Sequence, residues 1–203
     1  MSQPVIRRAR AQDAPALASM LMRAFLDDPV ACWAFRPERL RPRALERFQA
    51  TRLRQTLPGE EVWTTDDLSC AALWVPAGMQ KKSIRQEISE MVEMLPCFAH
   101  PRLIGRVPLV SAGWMRMEGA HPKGAAHWYL AVLGTDPSAQ GRGLGSAVLT
   151  RALDQCDDDG VGAYLESSKE RNVDFYARHG FRVVRQISLL RGPPMWAMWR
   201  DPR

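Results

Sequence analysis

The sequence predicts an α/β fold whose sheet is mixed and mostly antiparallel, with one parallel strand pair. Three observations carry that expectation. β-Rich runs over residues 127–133 and 163–166 bracket a helical stripe of Leu144, Val148, Leu149, Ala152, Leu153 and Cys156. A strand-helix-strand unit crosses over right-handed and leaves its strands parallel. Residues 61–64 and 70–75 are β-rich and joined across Asp66-Asp67, which reads as a hairpin closed by Pro76. Residues 182–187 and 195–200 form a further strand pair, linked through Gly192-Pro193-Pro194.

The remaining elements follow in chain order. Residues 5–9 read as a short opening strand, and Asp13 as the N-cap of a helix with Pro15 in its first turn and Leu17, Met20, Leu21, Ala24 and Phe25 on one face. Arginines 36, 39, 41, 43, 47, 52 and 54 read as a solvated helical face. Ser83 with Gln86 three residues on is a capping-box start for a stripe of Ile84, Ile88, Met91, Val92 and Leu95 that Pro96 terminates. Residues 97–123 read as helical, in one piece or in two broken at Pro108. The helix after residue 144 stops near Gly160, and another over residues 171–179 stops at Gly180. No repeat, low-complexity tract or linker divides the 203 residues, so residues 1–203 read as one domain.

Composition narrows the function classes. Apolar residues make up 46% and charged ones 25%, which is globular rather than disordered. No apolar run approaches the roughly eighteen residues of a membrane span, and Met1-Ser2-Gln3-Pro4 does not open a signal peptide, so the expectation is a cytoplasmic protein off the membrane. The four cysteines have no C-x-x-C pair and the four histidines no H-E-x-x-H spacing, so no metal is expected and the thiols read as reduced. The net charge of +6 invites a polyanion, but the basic stretch is diluted by prolines and acids and lacks aromatics spaced to stack bases, which argues against nucleic acid.

Chemistry concentrates between the first parallel strand and its helix, where Gln140-Gly141-Arg142-Gly143-Leu144-Gly145-Ser146 places three glycines at a helix start. Glycine lets backbone N–H groups approach a ligand closely, and the unpaired donors and dipole of a helix N-terminus favour a phosphate. Arg142 adds a full charge. Gly141-x-Gly143-x-x-Ser146 approaches a dinucleotide fingerprint, with Glu166 near the place of a ribose-binding acid, yet too little chain follows for a doubly wound domain. A P-loop is excluded because Gly-Lys-Ser/Thr is missing.

Gln140-x-x-Gly143-x-Gly145 after a strand, followed by Tyr164-Leu165-Glu166-Ser167-Ser168, Asn172-x-x-x-Tyr176 and His179-Gly180-Phe181, resembles the GNAT superfamily of N-acetyltransferases. More narrowly, Trp128-Tyr129-Leu130, Leu165-Glu166-x-Ser168, Arg171-Asn172 and Gly192-Pro193-x-x-Trp196-x-Met198 are similar in order and spacing to the puromycin N-acetyltransferase family. The resemblance implies helices on both sheet faces and a parallel pair that splays to admit acetyl-CoA. Its pantetheine arm would bond the strand at Val132 and Leu133, and its pyrophosphate would sit on residues 140–146. Asn172 and Tyr176 share a helical face; by the resemblance Asn172 bonds the pantetheine and Tyr176 reaches the thioester sulfur as proton donor.

Glu166, beside the gap, is the candidate base, acting directly or through water, and His127 reads as structural. An inserted helical segment at about 77–125 would wall the acceptor pocket together with Asp27 and Asp28, read as helix-end acids suited to a cationic amine. Trp33, Phe35 and Trp114 are candidates for its aromatic surface, Trp114 for contact with the acceptor, although core packing is the commoner role for any one such residue. An α-amine near pKa ~7.7–8 is roughly 10–20% neutral at pH 7, against under about 0.1% for a lysine-like amine, so a puromycin-like α-amine is the easier substrate. The expected activity is direct transfer of an acetyl group from acetyl-CoA to a small-molecule primary amine, by a monomer or homodimer. The alternatives are a peptide or protein N-acetyltransferase and a non-catalytic CoA-responsive or nucleic-acid-binding module.

Overall fold

In the computed structural model, which describes residues 4–59, 61–78 and 84–203, seven strands pair into one sheet. They are β1 (Ile6–Arg8), β2 (Val62–Thr65), β3 (Cys70–Val75), β4 (His127–Thr135), β5 (Gly162–Ser167), β6 (Arg182–Ser188) and β7 (Pro194–Arg200). Their spatial order is β1-β2-β3-β4-β5-β7-β6, and only β4 and β5 run parallel. The mixed, mostly antiparallel α/β sheet is therefore the one expected.

Helices cover both faces. On one lies α7 (Leu144–Asp158), whose Val148, Leu149, Ala152 and Cys156 pack against Trp74, Trp128, Leu130 and Leu165. Against the other lie α1 (Ala14–Ala24), α2 (Pro29–Ala34) and α3 (Arg41–Thr56), which meet Ala71, Leu73 and Val132 in one cluster and Tyr164, Met195 and Ala197 in a second. Between β3 and β4 come α4 (Ile84–Met94), α5 (Pro101–Ile104) and α6 (Val107–Glu118). A last short helix, α8 (Val173–Arg178), follows β5.

One irregularity shapes the centre of the sheet. Trp74 faces Leu130 but Leu73 faces Val132, so Ala131 is an extra residue on β4. Such a bulge bends its strand. Parallel pairing runs from His127↔Gly162 to Leu130↔Leu165 and stops there, while β4 continues to Thr135 beside β3 and β5 to Ser167 beside β7. The strands part where the bulge begins.

Several local expectations are corrected. Asp13 does not cap α1: its carboxylate accepts from the Arg10 N–H at 2.8 Å and from Arg7 at 2.7 Å, closing a 3-10 turn before the helix. The arginine-rich helix is not wholly solvated, because Arg52 is only 9% exposed, beside buried Gln49 and Thr51. Pro108 lies in the first turn of α6 rather than at a break, which falls at Gly105-Arg106, because proline needs no intrahelical N–H partner there. The apolar stripe of α4 leaves Ile88, Met91, Val92 and Leu95 exposed instead of packed. Ser83 lies outside the described residues. No helix among the described residues is long and apolar enough to cross a membrane.

Candidate active site

The parting of β4 and β5 opens a cleft of about 520 Å³. Residues 130–135 of β4 form one wall, residues 165–169 the other, and the N-terminus of α7 with Asn172 and Tyr176 closes the end. Thus Val132, Leu133, Gln140, Gly141, Gly143, Leu144, Gly145, Ser146, Glu166, Asn172 and Tyr176 are brought together, although they come from four separate stretches of chain.

Backbone conformation makes the glycine loop a cradle. Gly141 and Gly143 have φ of +76° and +77°, and a Cβ on either would meet nothing within 4 Å, so both face open space in a conformation that other residues adopt at a cost. Gly143 caps α7 without a side-chain bond, leaving first-turn N–H groups for a ligand. The loop is braced from behind. Asp136 accepts from the Ser138 N–H at 3.0 Å and pairs with Arg23 at 2.6 Å, while the Gln140 side-chain amide donates to the Thr135 carbonyl at 3.2 Å. Ser146 Oγ lies 3.0 Å from His179 Nε2.

The basic groups lining the cleft are Lys169, Arg171 and Arg178, whereas Arg142 is exposed and not part of its lining. The cation of the glycine motif, Arg142, lies outside the cleft lining, and the lining cations follow β5 instead. A CoA-like anion fits this donor set: open glycines, helix N-terminal N–H groups, the guanidinium groups of Arg171 and Arg178, and Lys169, itself paired with Asp27.

Tyr176 is 8% exposed, and burial, then the charges of Asp28 and Cys70, push its phenol well above the ordinary tyrosine value. It therefore keeps its proton at any physiological pH. Across the cleft, the Glu166 side chain is 1% exposed and its Oε1 lies 3.3 Å from Nε2 of His121. The phenols of Tyr129 and Tyr164 are raised by burial and by Glu166. His121 carries no motif and was legible in the sequence only as a residue of the inserted stretch. His127, by contrast, is 2% exposed, and its Nδ1 is 2.8 Å from the Ala125 carbonyl, as a packed structural histidine should be.

The acids expected at the acceptor side are otherwise engaged. Asp28 lines the cleft but caps α2, accepting from the Val30 and Ala31 N–H groups at 2.9 and 3.2 Å and from the Ser168 hydroxyl. It is thus a helix-start residue, not a helix-end acid. Asp27 is absent from the lining and pairs with Lys169 at 2.8 Å, which holds its carboxyl below the usual range. Trp33 and Phe35 are buried in the core, and Trp114, 41% exposed, lies under the Arg52 guanidinium at 5.5 Å rather than in the cleft. Among the described residues no cluster of three or more His, Cys, Asp or Glu could hold a metal ion.

A seven-stranded mixed sheet opened at its one parallel pair, with a glycine cradle at the opening, defines the class: an α/β protein of the GNAT fold. The profile of the Acetyltransferase (GNAT) family matches residues 66–181, and the chain belongs to that family and is an acetyltransferase. It is 25% identical over 210 residues to an uncharacterised N-acetyltransferase of Schizosaccharomyces pombe, covering 97% of this chain and 83% of the other. Mycothiol acetyltransferase of Propionibacterium freudenreichii is 37% identical over 81 residues, covering 37% of this chain and 25% of that one. Among solved structures, a histone acetyltransferase HPA2-related acetyltransferase of Corynebacterium glutamicum superposes with a TM-score of 0.70 at 23% identity, covering 100% and 98% of the two chains. An agmatine N-acetyltransferase superposes with a TM-score of 0.64 at 14% identity, covering 98% and 100%. At these identities the structural likenesses establish the fold.

Proposed function

We propose that the protein moves the acetyl group of acetyl-CoA directly to the primary amine of a small molecule, with a puromycin-like aminonucleoside as the first acceptor class. The observation that carries the reading is one cleft that joins the glycine cradle, Tyr176 and Glu166 at the point where β4 and β5 part. In it the α7 N-terminus and the cations after β5 hold the pyrophosphate, Asn172 and the backbone at Val132 and Leu133 hold the pantetheine, and the Leu133 N–H faces the developing oxyanion. The amine nitrogen bonds the acetyl carbon as the C–S bond breaks. Glu166 draws off the amine proton, directly or through water, and Tyr176 gives its proton to the departing thiolate.

Residues 1–203 act in this reading as one domain, with residues 77–125 forming the acceptor side, and the protein works in the cytoplasm as a monomer or homodimer. Free thiols at all four cysteines suit that compartment. The test is thiol release from acetyl-CoA with puromycin, agmatine, 2-phenylethylamine and a lysine-containing peptide. Turnover with puromycin supports the reading in full. Turnover with the peptide alone overturns the small-molecule acceptor, and release with none of them overturns transfer to these amine classes.

A further inference from the structure

Glu166 is deeply enclosed for a group that must meet a substrate. Its side chain is 1% exposed, while that of His121, 3.3 Å away, is 16% exposed. His121 follows α6 and meets the Glu166 carboxylate from the inserted segment, behind the residues that line the cleft. Its ring packs edge-on against Tyr129 at 4.5 Å between centroids and tilted against Tyr164 at 4.8 Å, so its orientation is set by two aromatic neighbours from the two parallel strands. Glu166 Oε1 is buried and lies 3.3 Å from His121 Nε2, and the Tyr129 and Tyr164 phenols also act on this carboxylate. A buried carboxylate oxygen calls for a donor, and the Nε2–H of a neutral His121 is placed to supply one. When Nε2 carries the proton, Nδ1 carries the lone pair.

We infer that His121 is the group that takes the proton from the acceptor amine, at Nδ1, and that Glu166 is the carboxylate that orients its ring and balances the imidazolium. The inference depends on the transfer reading above and specifies its base. As the amine nitrogen bonds the acetyl carbon, an N–H bond breaks and the proton joins Nδ1. The C–S bonding pair leaves on sulfur, which takes the Tyr176 hydroxyl proton. Solvent then restores the proton of Tyr176 and removes that of His121.

The charged groups around the ring come from several elements. Burial disfavours its protonation, but the hydrogen bond to Glu166 and the charges of Glu166 and of Glu118 on α6 outweigh that, and the imidazole is held above the ordinary histidine value of 6.5. His127 on β4 faces the same cluster. Arg52 of α3 acts on Tyr129, and Arg185 of β6 acts on Tyr164. Because the base must be neutral, kcat/KM falls as pH is lowered through the His121 pKa.

The experiment pairs histidine-selective ¹⁵N NMR on the full chain with pH profiles for acetyl-CoA and puromycin, using wild type, Glu166→Gln and His121→Gln. The expected results are an Nε2–H tautomer for neutral His121 and a pKa above that of free histidine. In Glu166→Gln that pKa falls, and the acid limb of kcat/KM moves with it. His121→Gln loses about 10²-fold in kcat, with the KM for acetyl-CoA kept within a few-fold. An Nδ1–H tautomer, or a His121→Gln enzyme that keeps the wild-type acid limb, overturns the assignment. If puromycin is not turned over, the substrate reading falls, while the tautomer and the Glu166→Gln titration still decide the pair.

Discussion

Replacing Gly145 by alanine separates a ligand cradle from a mere turn. Gly145 is the second residue of α7, lines the cleft and has ordinary helical backbone; an added Cβ would sit 3.6 Å from Phe175 and 3.6 Å from Thr135, a normal contact. Alanine is the better helix former by up to about 1 kcal/mol, so folding stability should hold or rise, by at most roughly 2–4 °C in Tm for a chain of this size. If the first-turn N–H groups of α7 receive a phosphate, the added methyl group narrows the approach of its oxygen to that backbone. Losing one N–H bond to a charged oxygen removes about 1.5–3 kcal/mol, which weakens binding roughly 10- to 150-fold. Gly143→Ala is the contrast, since its φ of +77° costs alanine about 1–2 kcal/mol of folding stability before any ligand is considered. Calorimetric titration of CoA beside thermal unfolding reads both quantities. A Gly145→Ala protein that folds as wild type and binds CoA within threefold of it would refute the cradle.

Tyr176→Phe should lower kcat by about 10²-fold while leaving CoA affinity unchanged, as single-turnover thiol release and calorimetry will show; equal losses in both would mean that the ring packs rather than donates a proton. At Gly134, where α1 crosses β4, a Cβ would come within 2.7 Å of Leu21 and 2.9 Å of Phe25. Gly134→Ala should therefore cost about 1–3 kcal/mol in urea unfolding, and an unchanged midpoint would mean that the helix yields freely. Burial pushes the thiols of Cys70 and Cys97 up to about 11 and that of Cys156 to about 12, whereas Cys32 is partly exposed. At pH 8 iodoacetamide should label Cys32 first, with the other three reacting only on unfolding; mass mapping of early alkylation at any of those three would contradict their enclosure.

The sheet was legible because strands and helices here carry their own periodicity. The stripe from Leu144 to Cys156 and the β-rich runs on either side of it force a parallel pair whatever surrounds them, and the glycine loop between them marks itself by composition. Both are local properties, since a helix face or a positive-φ turn is decided by residues a few positions apart. The short helix α2 escaped because six residues hold too little pattern; its Asp28 cap looked like a free acid until the chain folded it back onto its own N–H groups.

The acceptor side was opaque for a different reason. His121 meets Glu166 across 45 positions of sequence, and Arg52 lies over Trp114 across 62, so neither contact leaves a trace in spacing or period. The same holds for the cations of the cleft, which follow β5 instead of the glycine motif they serve. Long-range contacts depend on how helices from the inserted segment settle on the sheet, and that packing is chosen by the whole core rather than by any local run. The chain alone thus determined a mixed α/β sheet with one parallel pair and a glycine-rich turn at the start of the helix between them. Only the tertiary fold decided which carboxylate is buried, which histidine stands beside it, and which acids are spent on caps and ion pairs.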